Sequence, residues 1–368
     1  MREDFQQKPR NIELSITDRK SKKMKFYRFV FLLINIVTVG VIIYVGISKG
    51  NVGNINIIFE LMKSNKIWLL LALLCAFGVV LFDGLGYTML LKSKTGKVAR
   101  FGIKTAIVGR YGDAITPLGT GGQPFQMYYL KMKGVKLNYA CAMPLVKYIV
   151  RVITGDVVMV TLLLICWVNT EKFMLILAII GLALNTVIPL LMLMFAYRRN
   201  LAEKVIESVV KFLYKIKIIK KSQNLKDKWL EPVSSLAMAM RELSSNFKQV
   251  ISLVVFAIFE NICYLILPYL VSRFVGQSPN VFEIVGLTII IHNAASFMPT
   301  PGASGVTDLA FYTVFSSVLS GDTVLLALLV WRMISFYLYV ILGFLILIFT
   351  KKSENIELLN DKFSEDIT

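Results

Sequence analysis

The chain has 368 residues, 56% hydrophobic and 17% charged, with a mean hydropathy of +0.66. A soluble chain carries roughly 25% charged residues; here the apolar excess is gathered into runs of about 20 residues, the length that crosses a bilayer. The composition excludes a soluble enzyme, a disulfide-stapled secreted module and a nucleic-acid binder, and the net charge of +18 reads as loops held on one side of a membrane.

A polar, basic arm over 1–25 precedes the first apolar run, 26–47, which is long enough to remain in the membrane and is read as a span rather than a cleaved signal. Further full spans are expected over 67–91, 139–168, 173–197, 250–271 and 323–349. Two other apolar stretches, 101–129 and 281–319, are broken at their centres. The first break runs Thr116-Pro117-Leu118-Gly119-Thr120-Gly121-Gly122-Gln123-Pro124, and the second Pro299-Thr300-Pro301-Gly302-Ala303-Ser304-Gly305. Proline removes a backbone donor and glycine favours positive φ, so neither stretch can be one helix. Each is read as a re-entrant hairpin of two half-helices, a backbone tolerated at membrane depth only when buried in protein or lining a polar cavity. Between the fourth and fifth spans lies a basic insert, 198–248. Its Leu201, Val205, Ile206, Val209, Phe212, Leu213 and Ile216 recur at helical spacing, as in an interfacial helix whose basic face prefers anionic lipid. A docking surface for a partner protein is the alternative. The tail 351–368 is polar.

With the N-terminal arm inside and both broken stretches re-entrant, inside segments carry 31 Lys and Arg and outside segments 5, in accord with the positive-inside rule. The same topology makes 67–168 and 250–349 an inverted repeat, each unit a span, a broken hairpin and a span. Both hairpin centres hold a Thr-Pro pair, and the following spans hold Val150-Arg151-Val152 and Trp331-Arg332-Met333. The expected fold is thus an all-α integral membrane protein of about six full spans plus two opposed re-entrant hairpins, with both termini cytoplasmic.

Such paired discontinuous helices build the midplane substrate sites of secondary transporters. The second half-helices should begin near Gln123 and Ser304, where unpaired N–H groups and the helix dipole favour an anionic head group. Ionisable residues inside spans are functional candidates by default. These are Asp83, Arg110, Asp113, Lys147, Arg151, Asp156, Glu260, His292, Asp308 and Arg332. By helical rise Arg151 and Arg332 lie roughly 18 and 14 Å deep, placed to clamp a phosphate bidentately. The other reading makes them internal ion pairs, Arg151 with Asp83 or Asp156 and Arg332 with Glu260 or Asp308. His292, the only histidine, is a packed polar residue or a proton relay. The four cysteines, Cys75, Cys141, Cys166 and Cys263, lack metal-ligand spacing and read as buried free thiols; no metal and no cofactor is expected.

At the hairpins the sequence resembles a known family. Met298-Pro299-Thr300-Pro301-Gly302-Ala303-Ser304-Gly305-Val306-Thr307-Asp308 is similar to the PxPGGxGxxE loop of the lysylphosphatidylglycerol synthase transmembrane-region family, the flippase-like domain of MprF-type proteins. Gly109-Arg110-Tyr111-Gly112-Asp113 through Thr116-Pro117, Gly121-Gly122-Gln123-Pro124 and Tyr129-Leu130-Lys131 resembles its TPxxxGEPxRxxLLKxxG segment. Arg151 and Arg332 match the arginines of its ER-containing and last spans. Ala303 and Ser304 depart from the pattern, Asp308 and Gln123 stand where the family has glutamates, and Val150 replaces the Glu beside the arginine.

The resemblance implies translocation of a polar-headed lipid, most of all lysyl- or another aminoacyl-phosphatidylglycerol, across a bacterial plasma membrane, with a link to cationic-peptide resistance. It implies a head-group site at Arg110, Asp113, Thr116, Pro117, Gly121, Gly122, Gln123, Arg151, Pro299, Thr300, Pro301, Gly302, Gly305, Asp308 and Arg332, supported by Asp83, Lys147, Asp156 and Glu260. Implied partners are membrane phospholipid, a second copy of the chain and a separate lipid-modifying enzyme. Two-domain relatives carry a cytosolic synthase after this region, whereas this sequence stops past its last span. The alternatives are phosphatidylglycerol lysyltransferase, as the family name suggests, and a carrier or scaffold for lipid-linked sugars in envelope assembly.

Overall fold

The computed structural model describes residues 60–61, 63–95, 99–166, 172–198, 223–295 and 305–350. The readings of 1–25, 26–47, 201–216 and 351–368 lie outside these residues. The described chain is helical: α1 (Lys66–Thr95), α2 (Ala99–Ile115), α3 (Gly122–Met132), α4 (Leu137–Ile165), α5 (Lys172–Tyr197), α6 (Gln223–Ser245), α7 (Phe247–Phe274), α8 (Val281–Ala295), α9 (Val306–Phe315), α10 (Gly321–Arg332), a π-turn (Met333–Tyr337) and α11 (Leu338–Ile348). Five helical stretches are long and apolar enough to cross a membrane: α1, α4, Ala178–Tyr197 of α5, α7, and Thr323–Ile348 across α10, the π-turn and α11. Large apolar side chains such as Leu74, Phe77, Val157, Leu164 and Ile341 stay exposed on them, as lipid-facing surface requires.

The first broken stretch is split where expected. In the first, α2 and α3 are joined by a turn over 116–121 and run antiparallel, Gly112 lying against Gly121 and Phe125 while Gly109 lies against Gln126. The glycines permit this approach: a Cβ on Gly112 would sit 2.6 Å from the Gly121 carbonyl oxygen. In the second, α8 and α9 flank residues 296–304, which lie outside the described set. The last span, expected to be one regular helix, contains a π-turn directly after Arg332, a local widening that often marks a functional site.

The two repeat units share one packing scheme. In the first, α1 packs on α2, α2 on α3, α3 on α4, and α1 on α4. In the second, α7 packs on α8, α8 on α9, α9 on α10, and α7 on α10. Between the units, α1 and α7 form the largest helix pair, and they are antiparallel. Phe82 stacks on Phe259 with centroids 5.1 Å apart, Gly78 faces Cys263, Trp68 meets the Tyr269 edge at 6.3 Å, and Asn65 Nδ2 donates to the Phe274 carbonyl at 3.0 Å. The crossed contacts match as well, α2 lying on α11 and α8 on α4. Of the four cysteines, all free, only Cys166 is buried, so the expectation of buried thiols is corrected for the half-buried Cys75, Cys141 and Cys263. Their helices turn that face partly outward.

Local signals set the element ends. Gly134 and Gly276, at φ 79° and 85°, close α3 and α7 by letting Val135 and Gln277 donate back to the Leu130 and Ser272 carbonyls. Asn246 caps α7 through Gln249 N–H at 3.2 Å. The preceding helix, α6, was not foreseen as a separate element. It buries Ala239, Met240 and Leu243 in the core shared with α4, and its Glu242 binds Lys94 Nζ and accepts from the Tyr139 hydroxyl at 2.5 Å.

Two measurements test this packing. Gly112→Val forces a Cβ into the hairpin backbone and should lower stability by about 1–3 kcal/mol, read as a drop in thermal midpoint in detergent. Lys94, then Tyr139, hold the Glu242 carboxyl below its ordinary range. Its contribution is therefore present at neutral pH and lost as pH falls through the lowered value. The carboxylate is 46% exposed, so the loss is small, and hydrogen exchange should show it as faster exchange confined to α6 and the start of α4.

Candidate functional site

The turn at the tip of the first hairpin is strained and internally satisfied. Leu118 and Gly119 both take φ near 60°, a left-handed conformation that costs a leucine roughly 1–2 kcal/mol. Thr116 Oγ1 accepts from Gly121 N–H at 2.7 Å, and Asp113 Oδ1 accepts from Gly122 N–H at 2.7 Å. The N–H groups expected to await an anion are therefore taken at Gly121 and Gly122 by the protein itself, and Thr116, Pro117, Gly121 and Gly122 build the turn. In the second hairpin Gly305, at φ 79°, starts α9, and its N–H donates to Asp308 Oδ2 at 2.9 Å. α9 begins at Val306, two residues beyond the expected Ser304. Pro299, Thr300, Pro301 and Gly302 lie outside the described residues.

The deep charges meet in one network. Glu260 on α7 lies 2.8 Å from Arg110 on α2, 3.6 Å from Lys147 and 3.8 Å from Arg151, both on α4. Asp83 on α1 lies 2.5 Å from Lys147 and 3.8 Å from Arg110. Two carboxylates thus hold three cations. Arg332, at the end of α10, pairs through Nε with Asp308 Oδ1. These contacts decide between the sequence alternatives. Arg332 takes Asp308, while Arg151 takes neither Asp83 nor Asp156 but Glu260, because α7 rather than α1 faces its turn of α4. Asp156 accepts instead from Thr186 and Asn185 of α5.

A cavity of about 750 Å³ opens on this network. Of the sequence candidates it is lined by Arg110, Asp113, Gln123, Arg151, Asp156, Glu260 and Arg332, with Leu118 and Gly119 of the strained turn. Asp83 and Lys147 sit behind this wall and hold its charges. The cations differ in freedom: the Arg151 side chain is 35% exposed with its nearest carboxylate 3.8 Å away, whereas the Arg332 side chain is 7% exposed. Arg332 still keeps one terminal guanidinium nitrogen without a hydrogen-bond partner among the described residues. Its guanidinium lies 5.0 Å from the Trp331 ring centroid and 5.4 Å from that of Phe336 on the π-turn. Arg110 stands 5.4 Å from the Tyr339 centroid.

Other lining residues escaped the sequence reading: Tyr148, Asn185, Asn261, Tyr264, Trp331 and Tyr339. Asn185 and Asn261 were findable as amides inside apolar runs, but the aromatics carry no signal that separates a cavity wall from a core. His292 also lines the cavity, its Nδ1 lying 3.2 Å from the Tyr264 hydroxyl. No group of three or more metal-ligating side chains occurs among the described residues.

Apolar spans, a split helical stretch in each repeat unit and a charged cavity among the helices define a multi-pass α-helical membrane protein of the discontinuous-helix kind. The family model described as the lysylphosphatidylglycerol synthase TM region matches residues 31–343, and the chain belongs to that family. No curated protein matches the chain.

Removing one member of the network exposes its weight. Glu260→Ala removes a buried carboxylate and leaves three cations, Lys147 among them buried, facing one carboxylate; it should cost roughly 3–5 kcal/mol, measured by unfolding in detergent. Adding Arg110→Gln should recover part of the loss, the non-additivity expected of a shared ion pair.

Proposed function

We propose that the protein translocates a polar-headed phospholipid between membrane leaflets, with an aminoacylated phosphatidylglycerol as the preferred cargo. The observation that carries this reading is the pairing of Arg151 and Arg332 on one cavity, one loosely held and the other with an unused donor. A phosphodiester offers acceptor oxygens that match two guanidinium groups, and exposed apolar helix faces leave room for acyl chains in the bilayer. Family membership supports a lipid as the cargo. On this reading the membrane is the bacterial plasma membrane, the basic segments face the cytoplasm, and exposing aminoacyl lipid outside reduces negative surface charge and so favours cationic-peptide resistance.

In this mechanism the head group enters the cavity and its phosphate takes the Arg151 contact that Glu260 holds at 3.8 Å. Glu260 retains Arg110 and Lys147, so the exchange leaves no carboxylate unpaired. Arg332 adds its unpartnered terminal nitrogen, buried in this conformation, by a shift of its side chain toward the cavity while Asp308 keeps Nε.

The test is leaflet exchange of labelled lipids in proteoliposomes: lysyl-phosphatidylglycerol, phosphatidylglycerol and an undecaprenyl-linked sugar. Arg151→Ala should slow exchange of one of these by at least tenfold, equivalent to about 1.4 kcal/mol of lost head-group binding. Arg332→Lys, which keeps charge near Asp308 but loses the fork, should do the same. Exchange unchanged in both variants would remove the arginines from the site, and no exchange of any lipid would remove the translocase reading.

A further inference from the structure

Five carboxylates lie close to the cavity or behind its wall, and four have charged or backbone partners. Asp83 and Glu260 hold cations, Asp308 holds Arg332, and Asp113 accepts from Gly122 N–H. Asp156 is the exception. It sits in the middle of α4, buried at 7% exposure, and lines the cavity. Among the described residues its hydrogen-bond partners are neutral: Thr186 Oγ1 at 2.7 Å from Oδ2, and Asn185 Nδ2 at a long 3.5 Å from Oδ1. An ionised carboxylate so placed is costly unless paired.

The hydrogen count around Thr186 shows how that cost is avoided. Its hydroxyl oxygen lies 2.9 Å from the Leu182 carbonyl, one turn back on α5, as well as 2.7 Å from Asp156 Oδ2. Both separations are ordinary for O–H···O bonds, but a threonine hydroxyl has one hydrogen. If it goes to the Leu182 carbonyl, the contact to Asp156 needs a hydrogen from the carboxyl. If the hydroxyl turns to Asp156, the carboxyl can be ionised and the Leu182 carbonyl keeps its ordinary helical bond alone. The geometry accepts either state, and the switch is one hydroxyl rotation.

We infer that Asp156, with Thr186 as its rotor, is a proton-binding site inside the cavity that takes up and releases a proton during the transport cycle. The transport half of this statement rests on the translocase reading above; the proton site does not. Each element around Asp156 fits a group that titrates alone. Among the described residues, α5 meets it with neutral Asn185 and Thr186, and from α7 Asn261 lies against the neighbouring Gly155. Farther along α7, Glu260 is committed to cations and Tyr264 to His292 of α8. On α4 itself Arg151 is held by Glu260, with Tyr148 on the cavity wall, and α2 offers Arg110 and Asp113, already bonded. Across the cavity Arg332 is held by Asp308. α3 and α6 share the core at the opposite end of α4, around Ala140 and Met143, and Asp83 of α1 meets Lys147 there. A sodium site is less well served, because two side-chain oxygens besides the carboxylate fall short of the oxygen shell such a cation needs.

The test reads protonation and transport separately, on the full chain in phosphatidylethanolamine–phosphatidylglycerol vesicles. Infrared difference spectra should show a carboxylic-acid C=O band that titrates with pH and disappears in Asp156→Asn. In case that variant fails to fold, Thr186→Val removes only the rotor and should move the titration midpoint; a midpoint unmoved in Thr186→Val, or a band that persists in Asp156→Asn, overturns the proton site. In the same vesicles, an imposed proton gradient should accelerate exchange of labelled phosphatidylglycerol or its lysyl form in the wild type, and this response should be lost in Asp156→Asn. A response to a sodium gradient at constant pH, with none to protons, overturns the coupling. If no lipid exchanges under any gradient while the Asp156 band still titrates, the translocase reading fails and the proton site stands.

Discussion

A charge inside a membrane-embedded bundle must find an opposite charge, and in this protein that demand is met around one residue, Glu260. Its carboxylate reaches Arg110, Lys147 and Arg151, joining α7 to the first hairpin and to the span that follows it. Asp83 supplies the second anion from α1, the helix that packs antiparallel on α7. The two carboxylates come from matching first spans of the repeat units, and pairing those spans at the centre of the bundle delivers both to one place. Hydrophobic association alone cannot set that register in lipid, where tails are as apolar as leucine; ion pairs and close glycine contacts can.

The first hairpin answers a different demand, that no backbone donor be left bare at membrane depth. Thr116 and Asp113 take the first N–H groups of α3, and Asp308 does the same for α9. Pro124, at the third position of α3, has no N–H to satisfy. The N–H groups at Gly121, Gly122 and Gly305 thus serve as structural joints, and the guanidinium groups are the charged donors on the cavity. The remaining strain is concentrated at Leu118, held in a left-handed conformation on the cavity wall. Such strain persists where the surroundings over-determine it, and here the capped turn on both sides does so.

The cavity has two unlike walls. One carries the arginines with their carboxylates and aromatic faces; the other, from α4, α5, α7 and α8, carries Asp156, Asn185, Asn261, Tyr264 and His292. Fixed ion pairs suit the first wall to an anionic group that exchanges partners without stranding a charge. The second wall has neutral donors and one carboxylate, chemistry suited to a proton. The π-turn after Arg332 places the Phe336 ring beside its guanidinium, so even the regularity of the last span gives way to the geometry of this space.

Length, apolar runs and the two Pro/Gly interruptions were enough to define an all-helical membrane protein with two split stretches, because backbone hydrogen bonding in lipid leaves few other solutions. The same signals located Arg110, Asp113, Gln123, Arg151, Asp156, Glu260 and Arg332, since a charged or amide side chain inside an apolar run is conspicuous by itself. Partner choice was not legible: Arg151 meets Glu260, from a helix more than a hundred residues away, because of how α7 seats against α4. Nor was the fate of Asp156, which looked like one more ion-pair member until α5 brought Thr186 to it. Sequence fixes which groups must be satisfied; only the packing of helices distant in the chain decides which group satisfies which, and which remains free to bind.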